Sequence, residues 1–412
     1  MKRGLYAVVV ATAFLTMLDN TVVTVAAPSI ARDLGAALPR LEWVANGYML
    51  AYAGLLLPGG RLADRLGDRR VLLGGLALFT AASLAAGLSR HLPALIAARA
   101  AQGAGAALLV PATLAVVATR GEAERMRLAA VWTAAGAAAL AAGPVVGGAV
   151  SQHLSWPWIF LLNVPVGLAA LAIGARCLDP AKRSPARLGR PPGGRVFLGA
   201  VAVQVLWGLG VTGVYFHTAV FLQDVRGFRP VAAGLVFLPV AVAVVLGAPA
   251  AGPLVRGRGA ARTIAAGLLL VGGGIGVVGL FSTSTPVLLG ALAVIGFGSA
   301  LTVPLAAVAV AAAPPERAGI AAGVFAVARE GSGVLGVAGI GAVVTAGGGY
   351  PLGLAAAAAL VLAGAAIAAR TLPGPERRGQ GRPGGVQLAL PVRPGVGAVQ
   401  VEVDGGGDAG LR

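Results

Sequence analysis

Gly60-Arg61-Leu62-Ala63-Asp64-Arg65-Leu66-Gly67-Asp68-Arg69-Arg70-Val71-Leu72 is a short charged stretch wedged between two long apolar runs. Six ionic side chains fall within ten residues, in a chain of which only 11% is charged, and glycines stand near both ends. Such a stretch reads as a tight polar hairpin joining two membrane helices, and the rest of the chain follows from it. With 57% hydrophobic residues and a mean hydropathy of +0.85, the 412 residues exceed the apolar content of a water-soluble domain. The expected class is therefore an all-α polytopic membrane protein.

A hydrocarbon core about 30 Å thick needs roughly 20 apolar helical residues, because backbone groups in lipid must be bonded within the segment. Twelve segments meet that length: Leu5 to Ile30, Leu41 to Gly60, Val71 to Leu88, Leu92 to Thr119, Leu128 to Gln152, Trp158 to Leu178, Val196 to Leu222, Val231 to Val255, Thr263 to Phe281, Pro286 to Ala313, Gly319 to Ala346 and Pro351 to Thr371. The opening Met1-Lys2-Arg3 mimics a secretory signal, yet the apolar run after it is too long and further spans follow, so an uncleaved first helix is expected.

The net charge of +17 would suit nucleic acid in a soluble protein, but cytoplasmic loops of membrane proteins collect basic residues. Placing the amino terminus inside puts 25 of the 32 basic residues in the cytoplasm, five outside and two in the membrane. Both termini are then expected to be cytoplasmic. Thirty of the 32 are arginine, which fits GC-rich coding. The single cysteine, Cys177, excludes an internal disulfide and a cysteine metal cluster.

The longest internal break, Asp179 to Arg195, is rich in Pro, Gly and Arg and falls after the sixth segment. Expected domains are a six-helix half over 1–178, a cytoplasmic linker over 179–195, a second six-helix half over 196–371 and a mobile tail over 372–412. An internal repeat agrees: Gly252-Pro253-Leu254-Val255-Arg256-Gly257-Arg258-Gly259 matches Gly60 to Gly67 at a constant offset, with Arg256 in place of Asp64. Duplicated halves suit secondary transporters, whose substrate sites lie at the repeat interface.

Several stretches together resemble the major facilitator superfamily, more narrowly its multidrug proton antiporters. The Gly60 to Leu72 stretch is similar to the superfamily's signature between helices two and three. Helix four offers Leu95, Arg99, Gln102, Gly103 and Gly105 in the spacing of the proton-transfer motif. Helix five carries Gly143-Pro144-Val145-Val146-Gly147-Gly148, similar to the antiporter motif, with Ala130 and Ala139 where two upstream glycines are usual. Helix one reads Leu18-Asp19-Asn20-Thr21-Val22-Val23-Thr24 onward to Ile30, with Thr24 replacing a usual Asn. Trp43-Val44 with Tyr48, and Trp156 to Gly167, complete the set. The motifs resemble those of fourteen-span drug antiporters, but here seventeen linker residues occupy the place of two extra helices.

Asp19 and Glu330 are read as the acids inside predicted spans, and an intramembrane carboxylate is by default a functional candidate. A proton-coupled carrier needs a group whose proton affinity changes between two conformations, which burial and a nearby cation supply. Arg99 is the cation expected for Asp19, at a compatible depth; a static pair that fixes helix packing is the alternative. Arg329 precedes Glu330, but neighbours point about 100° apart on a helix, so a direct bridge between them is expected to be strained. The resembling families usually have Gln at the position of Glu330, which makes it a candidate substrate or proton contact.

The resemblance implies a charge lock at the Gly60, Asp64, Arg65, Gly67 and Arg69 positions that stabilises an outward-facing state. Gly143 and Pro144 are expected to bend helix five, and Gly147 and Gly148 to extend a small-residue packing face. For a substrate cavity, Gln204, Trp207 and Tyr215 share a helical face in the seventh segment, with Asn20, Tyr48 and Gln102 as further candidates. Phe216 and His217, toward the outer end, are read as interfacial residues.

No Gly-x-x-x-x-Gly-Lys-Ser/Thr loop is present, so ATP does not drive this chain directly. His91, His153 and His217 are scattered, and no soluble domain offers a catalytic triad. Neither an enzyme, a metal nor a cofactor is expected. The expected function is efflux of hydrophobic or amphipathic small molecules in exchange for protons, by a monomer in the cell membrane, with no nucleic-acid partner. An importer or single-metabolite exporter, or a receptor that kept the fold without turnover, are the rivals.

Overall fold

The protein, seen in a computed structural model, is described over residues 2–178, 192–314 and 317–374. The expected linker and tail fall largely outside these residues. The first seven helices are α1 (Lys2–Leu34), α2 (Leu38–Leu66), α3 (Asp68–Gly87), α4 (Leu92–Ala118), α5 (Glu122–His153), α6 (Trp158–Leu161) and α7 (Asn163–Cys177). They are followed by α8 (Arg195–Val220), α9 (Pro230–Val236), α10 (Leu238–Arg258), α11 (Ala260–Leu280), α12 (Thr285–Thr302), α13 (Leu305–Ala311), α14 (Ala318–Val343) and α15 (Gly349–Thr371). Among the described residues no strand occurs.

Ten stretches among these residues are long and apolar enough to cross a bilayer, one of them the 54-residue Ala318–Thr371 run. The twelve expected segments map onto these ten with two departures. Helix α2 is outside the set, since Glu42, Asn46, Tyr48 and Tyr52 dilute its apolar content. The Ala318–Thr371 run is kinked between α14 and α15 at Gly347, whose φ of 90° only glycine adopts freely. Elsewhere proline interrupts expected segments: α9 gives way to α10 at Pro239 and α12 to α13 at Pro304, where the missing N–H breaks the ladder.

The charged stretch itself differs from the expected hairpin loop. Helix α2 continues to Leu66 and α3 starts at Asp68, so Gly67 alone makes the connection, at φ 90° and ψ 142°. The ionic side chains therefore decorate two helix ends. The repeat copy behaves alike: Gly259, at φ 83° and ψ 158°, is the sole residue between α10 and α11.

Two apolar cores form. One gathers residues from Leu5 to Leu178 with Phe216 and Val337, the other residues from Phe197 to Leu372 with Val25. Helices α1–α7 are called the first bundle below and α8–α15 the second. Glycines set how closely the bundles meet. Along the α2/α14 contact Gly341 lies on Glu42, Gly333 on Met49 and Gly323 on Leu57, an antiparallel register running the length of both helices. At α5/α9, Gly148 sits on the Pro230 carbonyl and Gly234 on the Pro144 carbonyl. Each is an approach that a β-carbon would obstruct.

Candidate functional site

The interior of the first bundle holds a buried polar network, in which Arg99 Nη2 is left without a hydrogen-bond partner. Asp19, on the middle of α1, is 2% exposed, and Arg99, on α4, is fully buried. Arg99 Nη1 donates to Asp19 Oδ2 in a short charge-assisted contact and also to Gln102 Oε1 at 2.9 Å. Asp19 Oδ1 accepts from Gln102 Nε2 at 3.0 Å and from Asn163 Nδ2 at 2.9 Å. The network reaches α3, where Gln102 Nε2 donates to Ser83 Oγ at 2.7 Å. Arg99 Nε donates to the Val44 carbonyl at 3.0 Å, and its guanidinium lies 4.5 Å from the Tyr48 ring centroid and 5.5 Å from that of Phe160. Arg99 and Gln102 of α4 and Asn163 of α7 thus converge on the α1 carboxylate, whose negative charge is held by a cation and two neutral donors.

These helices can approach because their contact faces carry small residues. Gly103 of α4 lies on the Tyr48 backbone and Gly105 on the Phe79 backbone. On the opposite side Gly143 and Gly147 of α5 press on Thr21 and Val22 of α1, the helix turn after Asp19. The antiporter-like glycines therefore seat α5 against the Asp19 helix, and α5 runs without interruption through Pro144.

The second candidate carboxylate behaves otherwise. Glu330 is buried at 7% exposure and accepts from Arg329 Nε at 2.9 Å and Nη2 at 2.7 Å. This direct bridge corrects the expectation of a strained pair: a helix-wheel angle applies to β-carbons, and the long arginine stem folds back across it. The Arg329 side chain is 42% exposed.

Other expected site residues are dispersed. Gln204 is buried and Trp207 half-buried, and neither Gln204 Nε2 nor Trp207 Nε1 has a hydrogen-bond partner. Tyr215 packs edge-on against Phe237 within its own bundle, 5.9 Å between centroids. Asn20 is half-buried beside the network without joining it. Gly60 lies open, with Pro111 at its edge. Asp64 and Arg65 make no ion pair among the described residues, while Arg69 Nη2 donates to the Ala175 carbonyl at 2.7 Å, within the first bundle.

Four residues were missed or misplaced. Asn163 is a direct partner of Asp19, and a lone amide inside an apolar run was the available signal. Glu42, second in its predicted segment, is a third buried acid at 6% exposure. His217 and Phe216 are not interfacial: they are 3% and 2% exposed, packed inward against α14 and α2. Among the described residues no cluster of His, Cys, Asp and Glu is suited to a metal ion.

Residues 9–337 match the family described as Major Facilitator Superfamily. The chain belongs to the Major Facilitator Superfamily. It is 44% identical over 249 residues to a cephamycin export protein of Amycolatopsis lactamdurans, a match covering 60% of this chain and half of that relative's length. To a tetracenomycin C resistance and export protein of Streptomyces glaucescens it is 30% identical over 375 residues, 75% of this chain and 70% of the relative. Among solved structures, a bacterial homologue of the human lysosomal transporter Spinster superposes with a TM-score of 0.70 at 16% identity, over 90% of this chain and 97% of that one. Major Facilitator Superfamily membership makes this a multi-pass membrane protein of a transporter family and not an enzyme.

Proposed function

We propose that the chain exports hydrophobic or amphipathic compounds in exchange for protons, by alternating access between the two bundles. The observation that carries this reading is the buried Asp19 network. An ionised carboxylate inside a membrane protein is stable only with its partners in place, and a proton arriving on it releases Arg99 from its strongest contact. Asp19 then serves as the proton carrier, with Gln102 and Asn163 as neutral partners and Arg99 as the cation that is released when the bundles rearrange. The names of the relatives, a cephamycin exporter and a tetracenomycin C resistance and export protein, support export of natural-product-like compounds.

In this reading the protein works as a monomer in the cell membrane with both termini in the cytoplasm and no cofactor. Glu330, paired beside a half-exposed arginine, serves substrate recognition. Asp64 and Arg65, without an ion pair among the described residues, engage when the cytoplasmic side closes. The test is interior pH in vesicles carrying an imposed proton gradient, while lipophilic cations, anions and neutral compounds are added. Compound-triggered proton movement lost in Asp19→Asn is the expected result. Movement retained in that variant would remove Asp19 from the proton path.

A further inference from the structure

Glu42 lies where the bundles meet at the end of the molecule opposite the amino terminus. Its Oε1 is buried, has no hydrogen-bond partner and lies 3.8 Å from His217 Nε2. His217, on α8, is 3.0 Å from the Val337 carbonyl through the same nitrogen. A carbonyl can only accept, so Nε2 carries a hydrogen and donates. The carboxyl of Glu42 rests directly on the Gly341 backbone of α14, where a β-carbon would overlap it. One acid from the first bundle is thus lodged between two helices of the second, in a seat shaped for it.

We propose that Glu42 and His217 form a second proton-binding site, in which one proton held by the pair keeps the outer side of the molecule closed. With one proton the pair is either a neutral acid beside a neutral imidazole or a carboxylate beside an imidazolium, and both are tolerable when buried. With none, a lone carboxylate is sealed in a nearly dry contact, which burial opposes strongly. Once the bundles part, water solvates both groups, and their ordinary pKa values of about 4.3 and 6.5 leave the pair largely unprotonated at neutral pH. Closing the outer side therefore takes up a proton from outside, and the closed fraction rises as pH falls.

Among the described residues no other charge competes for this proton, and Asp33 at the end of α1 accepts from Trp156 Nε1 at 2.7 Å. On α2 the nearest charged residue, Arg40, is exposed. Asp19 of α1 and Arg99 of α4 satisfy each other, as do Arg329 and Glu330 of α14. Between Arg195 and Asp224, α8 and its π-helical extension offer no ionisable group facing the pair besides His217, since Tyr215 faces Phe237. Asp224 pairs with Arg32, and Tyr350 of α15 is hydrogen-bonded to Thr218. Helix α13, which also packs on α8, carries no titratable residue.

The proposal rests on the alternation of the bundles but not on Asp19 or on export. Spin labels on Ala37→Cys and Thr283→Cys, exposed residues at the outer ends of the two bundles, report the opening in a Cys177→Ser chain held in lipid nanodiscs. The closed-to-open ratio is expected to rise as pH is lowered from 8.5 to 6, approaching about tenfold per pH unit over part of that range. Glu42→Gln and His217→Gln should flatten the dependence, measured in a chain that also carries Asp19→Asn so that the proton of Asp19 does not contribute to it. Gly341→Ala should lower the closed fraction at every pH by pushing Glu42 from its seat. In that background, an undiminished slope in Glu42→Gln, no slope before Glu42 or His217 is changed, or an unchanged closed fraction in Gly341→Ala would each overturn the proposal. Failure of the export reading shows separately, as an absence of compound-triggered proton movement with this pH dependence intact.

Discussion

Asp19 and Glu330 are both carboxylates sunk in helices, yet their surroundings are opposites. Asp19 is held by three donors from two other helices and is sealed from every side. Glu330 has one partner, its own chain neighbour, whose side chain is 42% exposed. A charge bound by several helices reports on their packing, so changing its protonation must strain the whole bundle. A charge neutralised by the adjacent residue is indifferent to bundle geometry and free to meet a ligand. The first arrangement suits energy coupling and the second recognition.

Five substitutions break or sharpen this contrast. The largest effect is expected for Arg99→Ala, which strands a buried carboxylate: about 3–5 kcal/mol of stability is lost, read as a fall in thermal midpoint of the purified protein. Adding Asp19→Asn to that variant should recover part of the loss, because the stranded charge is gone. Next comes Asn163→Ala, which removes one hydrogen bond to the charged group, at about 1.5–3 kcal/mol by the same assay. Glu330→Gln should change stability by less than about 1 kcal/mol, as its pair is partly open to solvent, while narrowing the range of compounds that trigger proton movement. Asp64→Asn should be smallest, within about 0.5 kcal/mol, and its effect should appear in how readily cysteines at the cytoplasmic ends are labelled. If Glu330→Gln destabilised the fold as strongly as Arg99→Ala, the distinction between the two carboxylates would fail.

Charge in an apolar context is the signal that sequence displays best, and it pointed to Asp19 and Arg99, although 80 residues separate them. Amides carry a weaker mark: Asn163 stood alone in an apolar run without showing that it would meet Asp19. The Glu42–His217 contact spans two bundles and depends on the absence of a side chain at Gly341, which no local pattern announces. Glycine is legible as flexibility or small size, but not as the vacancy that another residue fills. The hairpin shows the converse error, since charges suggested a loop where Gly67 alone turns the chain and the helices run on around it.

The exposed Arg32–Asp224 pair, 3.4 Å apart, joins residues 192 positions apart in the chain. The same interval separates Gly67 from Gly259, so each member of the pair touches its own duplicate. At such a spot in a doubled protein an exact copy would have to face itself, arginine against arginine or aspartate against aspartate. Attraction there is open only to copies that have drifted apart, and this contact is a mark of how far the two have become complementary rather than alike.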